Sequence, residues 1–494
     1  MSIQAIDISE RGKVIEIKGS IAKVGGLDSC VNGQLLDMTP NVKGFIMGFN
    51  NGVALVLLLG KIEEVRIGQE ISAKREEFRI PVGDNFVGRV VSALATPLDG
   101  KSPPITDTFY PLFRDAPSVL ARAPVNETFE TGTFIIDTTT PIGKGQRQLI
   151  LGDRMTGKTT IGIDAILNQK GKGSICIYCC IGHALRSLEG IVKLLKEKRA
   201  FDYSIVVSAT ASTASGEQYL APYTACTLGE YFMYSGKDVF IVFDDLTKHA
   251  WAYRQISLLL ERPPGRDAYP GDIFYLHSQL MERAAKLISV DGVKGGSMTF
   301  FPIADTYQGD ITSYVTSNII SMTDGQIFLN ALLFNQGFAP AVDLGLSVSR
   351  IGSKAQFPVI KELSGMLRLE YLKYNELLKV SKLKANLSES LVQQLRHGEI
   401  IQELFMQDKN TPWTFEEEAL FLYALRRNVL DVLPKDDVER FKRGILKFAR
   451  DKYPQLMLAL LQEKKLTPEI RKGLDECLIA FFKNLGVFQK QEKA

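Results

Sequence analysis

No uninterrupted apolar run in this sequence approaches the ~20 residues that a membrane-spanning helix needs; Val53 to Leu59 is typical of what is present. Any membrane role is therefore expected to be peripheral. An excess of one charge is also missing. Lysine and arginine number 59 against 56 acidic residues, a net charge of +3, too small by itself to mark a surface for nucleic acid or anionic lipid. Met1 to Arg11 is polar and lacks the charged segment and apolar core of an export signal. The six cysteines, Cys30, Cys176, Cys179, Cys180, Cys226 and Cys477, are scattered as reduced thiols are, without the spacing of a disulfide framework. Three of them cluster on a predicted buried strand, Ile175 to Ile181. Pleating there turns Cys176 and Cys180 to one face and Cys179 to the other, and no second ligand pair follows at zinc-site spacing. Biased tracts are absent too, which excludes disordered and fibrous classes.

What is present is length. At 494 residues the protein exceeds the roughly 250–300 at which a single core stops growing, and three patterns succeed one another. Residues 1–79 carry short, partly alternating apolar segments split by turns. Asn51-Gly52 before Val53 to Leu59 predicts a tight hairpin, and a closed β-barrel is the expected fold. Residues 80–356 alternate apolar strands with amphipathic helices, the pattern of an α/β domain whose parallel sheet is covered on both faces. Residues 357–494 are expected to form a helical bundle, with helical periodicity over Ile360 to Leu378, Glu389 to Met406, Phe415 to Val429 and Lys435 to Arg450.

The chemistry concentrates in the middle. The strand Gln148 to Leu151 runs into Gly152-Asp153-Arg154-Met155-Thr156-Gly157-Lys158-Thr159, and a helix is predicted over Thr160 to Leu167. This is a phosphate-binding loop in its required setting. Glycines let backbone amides turn inward, and the positive end of the departing helix faces the anion. Lys158 would reach the β- and γ-phosphates of ATP, or the β-phosphate of ADP, and the Thr159 hydroxyl would bind Mg²⁺. A second element, Val239 to Phe243, ends in Asp244-Asp245. Paired with the loop it reads as a Walker B strand, with Asp244 as the outer anchor of the metal. Phosphate-loop enzymes also need a group that orients or deprotonates water. The strand Ile175 to Ile181 ends in Gly182-His183, neither of which is a carboxylate. His183 is read as a surface or structural histidine or a poor water-positioning group, and His249, His277 and His397, which lack ligand spacing, as structural.

Four further stretches carry a resemblance: Pro141 to Arg147, Gln218 to Tyr223, Arg262 to Asp272 and Pro340 to Arg350. Together with the loop they make the sequence similar, over nearly its whole length, to alpha subunits of the catalytic head of F-type ATP synthases. The resemblance implies an alternating ring of three alpha and three beta subunits around a gamma shaft, held by a peripheral stalk. In such rings catalysis lies mainly on beta and the nucleotide on alpha is regulatory. It implies a peripheral protein on the cytoplasmic face of a bacterial inner membrane, reaching the membrane only through the complex. Arg350 matches the family's arginine finger, Ser347 a position associated with activity, Phe334 the aromatic that packs on the adenine, and Gln407 the first of two base-side glutamines. Ala339 stands where an arginine is usual and Lys409 replaces the second glutamine; Met155 replaces the glutamine usual in the loop.

Other readings compete with this one. A Rho-like hexameric motor should carry basic and aromatic residues for single strands, and the near-neutral charge speaks against it and against nucleic acid as a partner. A self-sufficient secretion-type ATPase needs a carboxylate after Gly182, which is absent. A structural ring subunit that has lost nucleotide binding stays open.

Overall fold

A computed structural model describes residues 9–289, 295–381 and 388–485; most of the stretch read as free of an export signal lies outside the described residues. Six antiparallel strands come first: β1 (Ser9–Lys18), β2 (Ile21–Gly25), β3 (Gln34–Thr39), β4 (Val42–Asn50), β5 (Val53–Gly60) and β6 (Glu70–Glu77). They close into a barrel in the order β1-β2-β5-β4-β3-β6. Its interior is filled by Val14, Val24, Leu36, Ile46, Val56, Leu58 and Ile71. The predicted hairpin is there: Asn50 pairs with Val53, and Asn51 and Gly52 take φ of 49° and 78°, the left-handed pair that matches strand twist. β5 alternates only at its start. Its far end is apolar on both faces because Leu57 and Leu59 pack outward on Gly216, where a Cβ would meet Leu59 at 2.9 Å.

By internal contacts the protein divides into two compact units. The first comprises Met1–Pro124, Gly145–Leu149 and Lys170–Thr323, the second Val125–Lys144, Ile150–Gln169 and Asp324–Ala494. This division differs from the three stretches read above: the barrel stays with most of the α/β part, while the phosphate loop and its helix group with the carboxy-terminal helices.

In the first unit, parallel strands run in the order Ser297–Asp305, Asp238–Asp244, Ile175–Ile181, Ser204–Ala209 and Val90–Ser92. They are buried along nearly their whole length, which is why they read as continuous apolar runs. The 20-residue helix Ser215–Tyr234 lies against them, Gly229 allowing the close approach of Ile241 and Met298. Its Glu230 forms a fully buried ion pair with Arg283 at 2.7 Å, and the guanidinium also donates to Thr227 and to the Leu112 carbonyl, so the buried cation is held by its counter-ion and two further acceptors. His249 and His277 are buried 3.1 Å apart, both held below the ordinary histidine value by burial. All six cysteines are buried and none is in a disulfide.

In the second unit the carboxy-terminal bundle comprises Pro358–Ser364, Leu367–Ser381, Glu389–Phe405, Phe415–Arg426, Lys435–Lys452, Pro454–Glu463 and Pro468–Asn484. The helix expected over Ile360 to Leu378 is two helices, broken at Gly365 and Met366, where a residue of poor helix propensity interrupts the period. Phe415–Arg426 opens with a capping box between Thr414 and Glu417 and stops before Asn428, which has a φ of 53°. The last two helices each begin with proline in the first turn, where its missing N–H costs nothing.

Candidate nucleotide-binding site

The strand Leu149–Gly152 is fully buried, and the helix it feeds is Lys158–Leu167. The two glycines of the loop between them serve different physical ends. A Cβ on Gly152 would lie 2.8 Å from the Leu329 carbonyl oxygen and from Thr156 Oγ1, so this position needs close approach. Gly157 has open space around it but a φ of 97°, so it needs a backbone that side chains resist. Thr156 ties the loop by donating to the Asp153 carbonyl at 2.8 Å. The helix has no side-chain cap at Gly157, which leaves its first amides suited to an anion. The Lys158 ammonium is folded inward, donating to the carbonyls of Gly152 at 2.9 Å and Asp153 at 2.6 Å. Arg154 and Met155 point to solvent, Met155 being 90% exposed, and Asp153 and Thr159 are half-buried.

The expected base-side residues belong to the same unit. Phe334, on the short helix Ala331–Asn335, is 40% exposed. Gln407 is joined to Ala339 by its N–H, at 2.9 Å from that carbonyl, and Asn410 N–H donates to Asp164 of the loop helix at 2.8 Å. The Gln407 amide itself works inside the protein: it donates to the carbonyls of Gly132 and Thr411 at 2.7 and 2.9 Å and accepts from Phe134 N–H at 3.1 Å. Lys409 is exposed.

A second loop in this unit carries Arg350. The strand Gly325–Leu329 pairs with Val348–Ser349, and the turn before Val348 is held from several sides. Ser347 is fully buried; its hydroxyl donates to the Asp343 carbonyl at 2.6 Å and accepts from Phe328 N–H at 3.0 Å. The Asp343 carboxylate takes the amides of Gly345 and Leu346. Ser349 donates to the Pro141 carbonyl at 2.9 Å, and Arg350 N–H to that of Asp324 at 2.8 Å. The Arg350 side chain is exposed and makes no hydrogen bond or ion pair among the described residues.

The Walker B carboxylates belong to the first unit. Asp244 ends its strand nearly fully buried, one oxygen accepting from Tyr178 OH at 2.8 Å and the other lying 2.9 Å from His183 Nε2. Lys248 Nζ lies 3.0 Å from His183 Nδ1 and 3.2 Å from Asp245. Neutral His183 thus accepts from Lys248 at Nδ1 and donates to Asp244 at Nε2. Burial disfavours its charge and Asp244 favours it, the balance lying above the ordinary histidine value. Asp245 caps the next helix through Lys248 N–H, and burial pushes its carboxyl up to about 6. The ligand atoms of His183, Asp244 and Asp245 lie within 4.8 Å of one another, a donor set able to hold a divalent cation. Both ring nitrogens of His183 are engaged within the protein. The sequence reading missed Tyr178 and Lys248. A tyrosine inside an apolar strand and a lysine three residues after Asp245 were the available signals.

The family model of the ATP synthase alpha/beta nucleotide-binding domain matches residues 132–349, and that of the C-terminal domain of the ATP synthase alpha/beta family matches 356–481. The protein is 44% identical over 474 residues, 96% of its length and 94% of the relative's, to the ATP synthase subunit alpha of Clostridium botulinum strain Eklund 17B. To the subunit of that name from strain Hall it is 45% identical over 480 residues, 97% of its length and 95% of the relative's.

Proposed function

We start from the fact that the chain belongs to the ATP synthase alpha/beta family, and propose that it is the regulatory, largely non-catalytic alpha subunit of an F-type rotary ATP synthase. That complex makes ATP from ADP and phosphate using a transmembrane proton or sodium gradient. In it the protein binds ATP or ADP on residues Gly152 to Thr159, with Lys158 on the phosphates, and Phe334 and Gln407 lie on the base side. By their motifs, the Thr159 hydroxyl would bind Mg²⁺ and the Asp244 carboxylate would be its outer anchor; bound Mg²⁺ would neutralise phosphate charge. The partners are beta subunits, which carry the catalytic sites, a gamma shaft and the peripheral stalk. The protein reaches the membrane only through them, on the cytoplasmic face of a bacterial inner membrane; no helix among the described residues is long and apolar enough to cross one. We keep residues 1–79, 80–356 and 357–494 as the barrel, nucleotide and helical domains.

One observation carries this reading. Where a catalytic site needs a carboxylate to manage water, this protein has His183, engaged by Asp244 and Lys248, while the Arg350 guanidinium, without a partner among the described residues, projects from a loop held by several hydrogen bonds. A planar, permanently charged group presented in that way suits the charge developing on a neighbour's γ-phosphate. Ser347, being buried, acts by shaping the loop and not by touching nucleotide. Fingers of this kind contribute about 10³ to 10⁵ in rate, roughly 4–7 kcal/mol of barrier. The test is a ring rebuilt with its beta partner and carrying Arg350→Ala. Assembly should persist while steady-state hydrolysis falls at least about a hundredfold; near-normal turnover would reduce Arg350 to a surface residue.

A further inference from the structure

We infer that Arg368 is a positioning residue for the finger, fixing the turn from which Arg350 projects; the inference rests on the trans-acting reading of Arg350. Arg368 is the second residue of the helix Leu367–Ser381. Its Nη2 donates to the carbonyl of Leu344 at 2.7 Å and to that of Ser347 at 2.8 Å, three residues apart in one turn. The guanidinium is half-buried and has no carboxylate partner among the described residues. Partly desolvating a charge against two carbonyls, with no counter-ion, is a poor way to gain stability. It is a good way to fix geometry, because a planar donor set holds both carbonyls in one orientation.

The other restraints on the turn come from outside the carboxy-terminal helices: Ser347 on Asp343 and Phe328, Ser349 on Pro141, and Asp343 on Gly345, Leu346 and, at 3.1 Å, Asn330. Arg368 alone among them brings in the carboxy-terminal helices. It therefore connects the start of that bundle to the finger without touching nucleotide itself. Misplacing a reacting group by about 1 Å can cost about a hundredfold in rate, so a loosened turn should lower turnover without altering this subunit's own site.

The experiment is a double-variant cycle in the rebuilt ring: Arg368→Ala, Arg350→Ala and both together, with Arg368→Lys as a milder change, each confirmed as an assembled ring. Arg368→Ala should lower kcat roughly ten- to a hundredfold at unchanged KM, with Arg368→Lys in between. Mg-ATP binding to the isolated subunit should not change. The double variant should be no slower than Arg350→Ala alone, because a strut has nothing left to position once the finger is gone. Effects that multiply would assign Arg368 to general structure and overturn the proposal. So would an Arg368→Lys or Arg368→Ala ring with normal turnover while Arg350→Ala is slow. Normal turnover in Arg350→Ala itself would instead overturn the finger reading on which this one stands.

Discussion

The phosphate loop and the loop of Arg350 lie in one unit of the molecule, and they present their cations in opposite ways. Lys158 is 7% exposed and folded onto the carbonyls of Gly152 and Asp153; Arg350 is exposed, with its backbone pinned and its side chain unpartnered among the described residues. On the proposed function the difference follows from whom each serves. A cation for the subunit's own ligand can be stored on loop carbonyls and exchanged for phosphate oxygens when the ligand arrives. A cation for a neighbour's ligand has nothing of its own to rest on, so the order must be built into the loop beneath it. Ser347, Asp343, Ser349 and Arg368 supply that order.

The largest effect that could break this comparison is expected at the outward cation. Arg350→Lys keeps the charge but loses the bidentate plane, so turnover of the rebuilt ring should still fall at least about a hundredfold. The affinity of the isolated subunit for Mg-ATP should stay within about twofold, as for other surface substitutions. Next comes the inward cation. Lys158→Ala removes a charge-assisted contact worth about 1.5–3 kcal/mol, and calorimetry on the isolated subunit should show affinity reduced roughly ten- to a hundredfold. Unchanged affinity would mean that the folded-in lysine never reaches the phosphates.

The smallest effect sharpens the comparison with a third kind of cation, one held by carboxylates. His397 is hydrogen-bonded to Asp431 at 2.9 Å and lies 3.9 Å from Glu370, and these two carboxylates raise its pKa from 6.5 to about 9. A raised folded-state value means stability that is fully present below about pH 6.5 and lost as pH rises through about 9. His397→Gln should therefore cost on the order of 1 kcal/mol at about pH 6, and the gap to the unmutated protein should close above about pH 9. Thermal midpoints at the two pH values check this; a gap that widens with pH would reverse the assignment.

What could be read from sequence was what is local in sequence. The phosphate loop is contiguous and bounded by its own strand and helix, the Asn51-Gly52 hairpin is two residues of turn chemistry, and the Walker B strand is one apolar run ending in acid. Relations between distant residues were out of reach. The bond from Tyr178 to Asp244 depends on two strands being neighbours in register, Tyr178 opposite Val242. Arg368 vanished into an apolar period that ran from Ile360 to Leu378, because nothing in that period shows that Gly365 ends one helix and lets the next start with a guanidinium under the finger turn. The resemblance implies a base-side place for Gln407 and says nothing of its bonds within the protein. The internal use of its amide depends on Gly132 and Phe134, more than 270 residues away by the separations of 275 and 273.

The central claim is that this subunit holds nucleotide without consuming it and lends its finger elsewhere. Phosphate release by the isolated subunit at saturating Mg-ATP, with saturation checked by calorimetry in the same sample, tests it most directly. Binding should saturate while turnover stays far below the roughly 10 per second typical of enzymes, rising only when the beta partner is added. Turnover near that rate by the subunit alone would contradict the account.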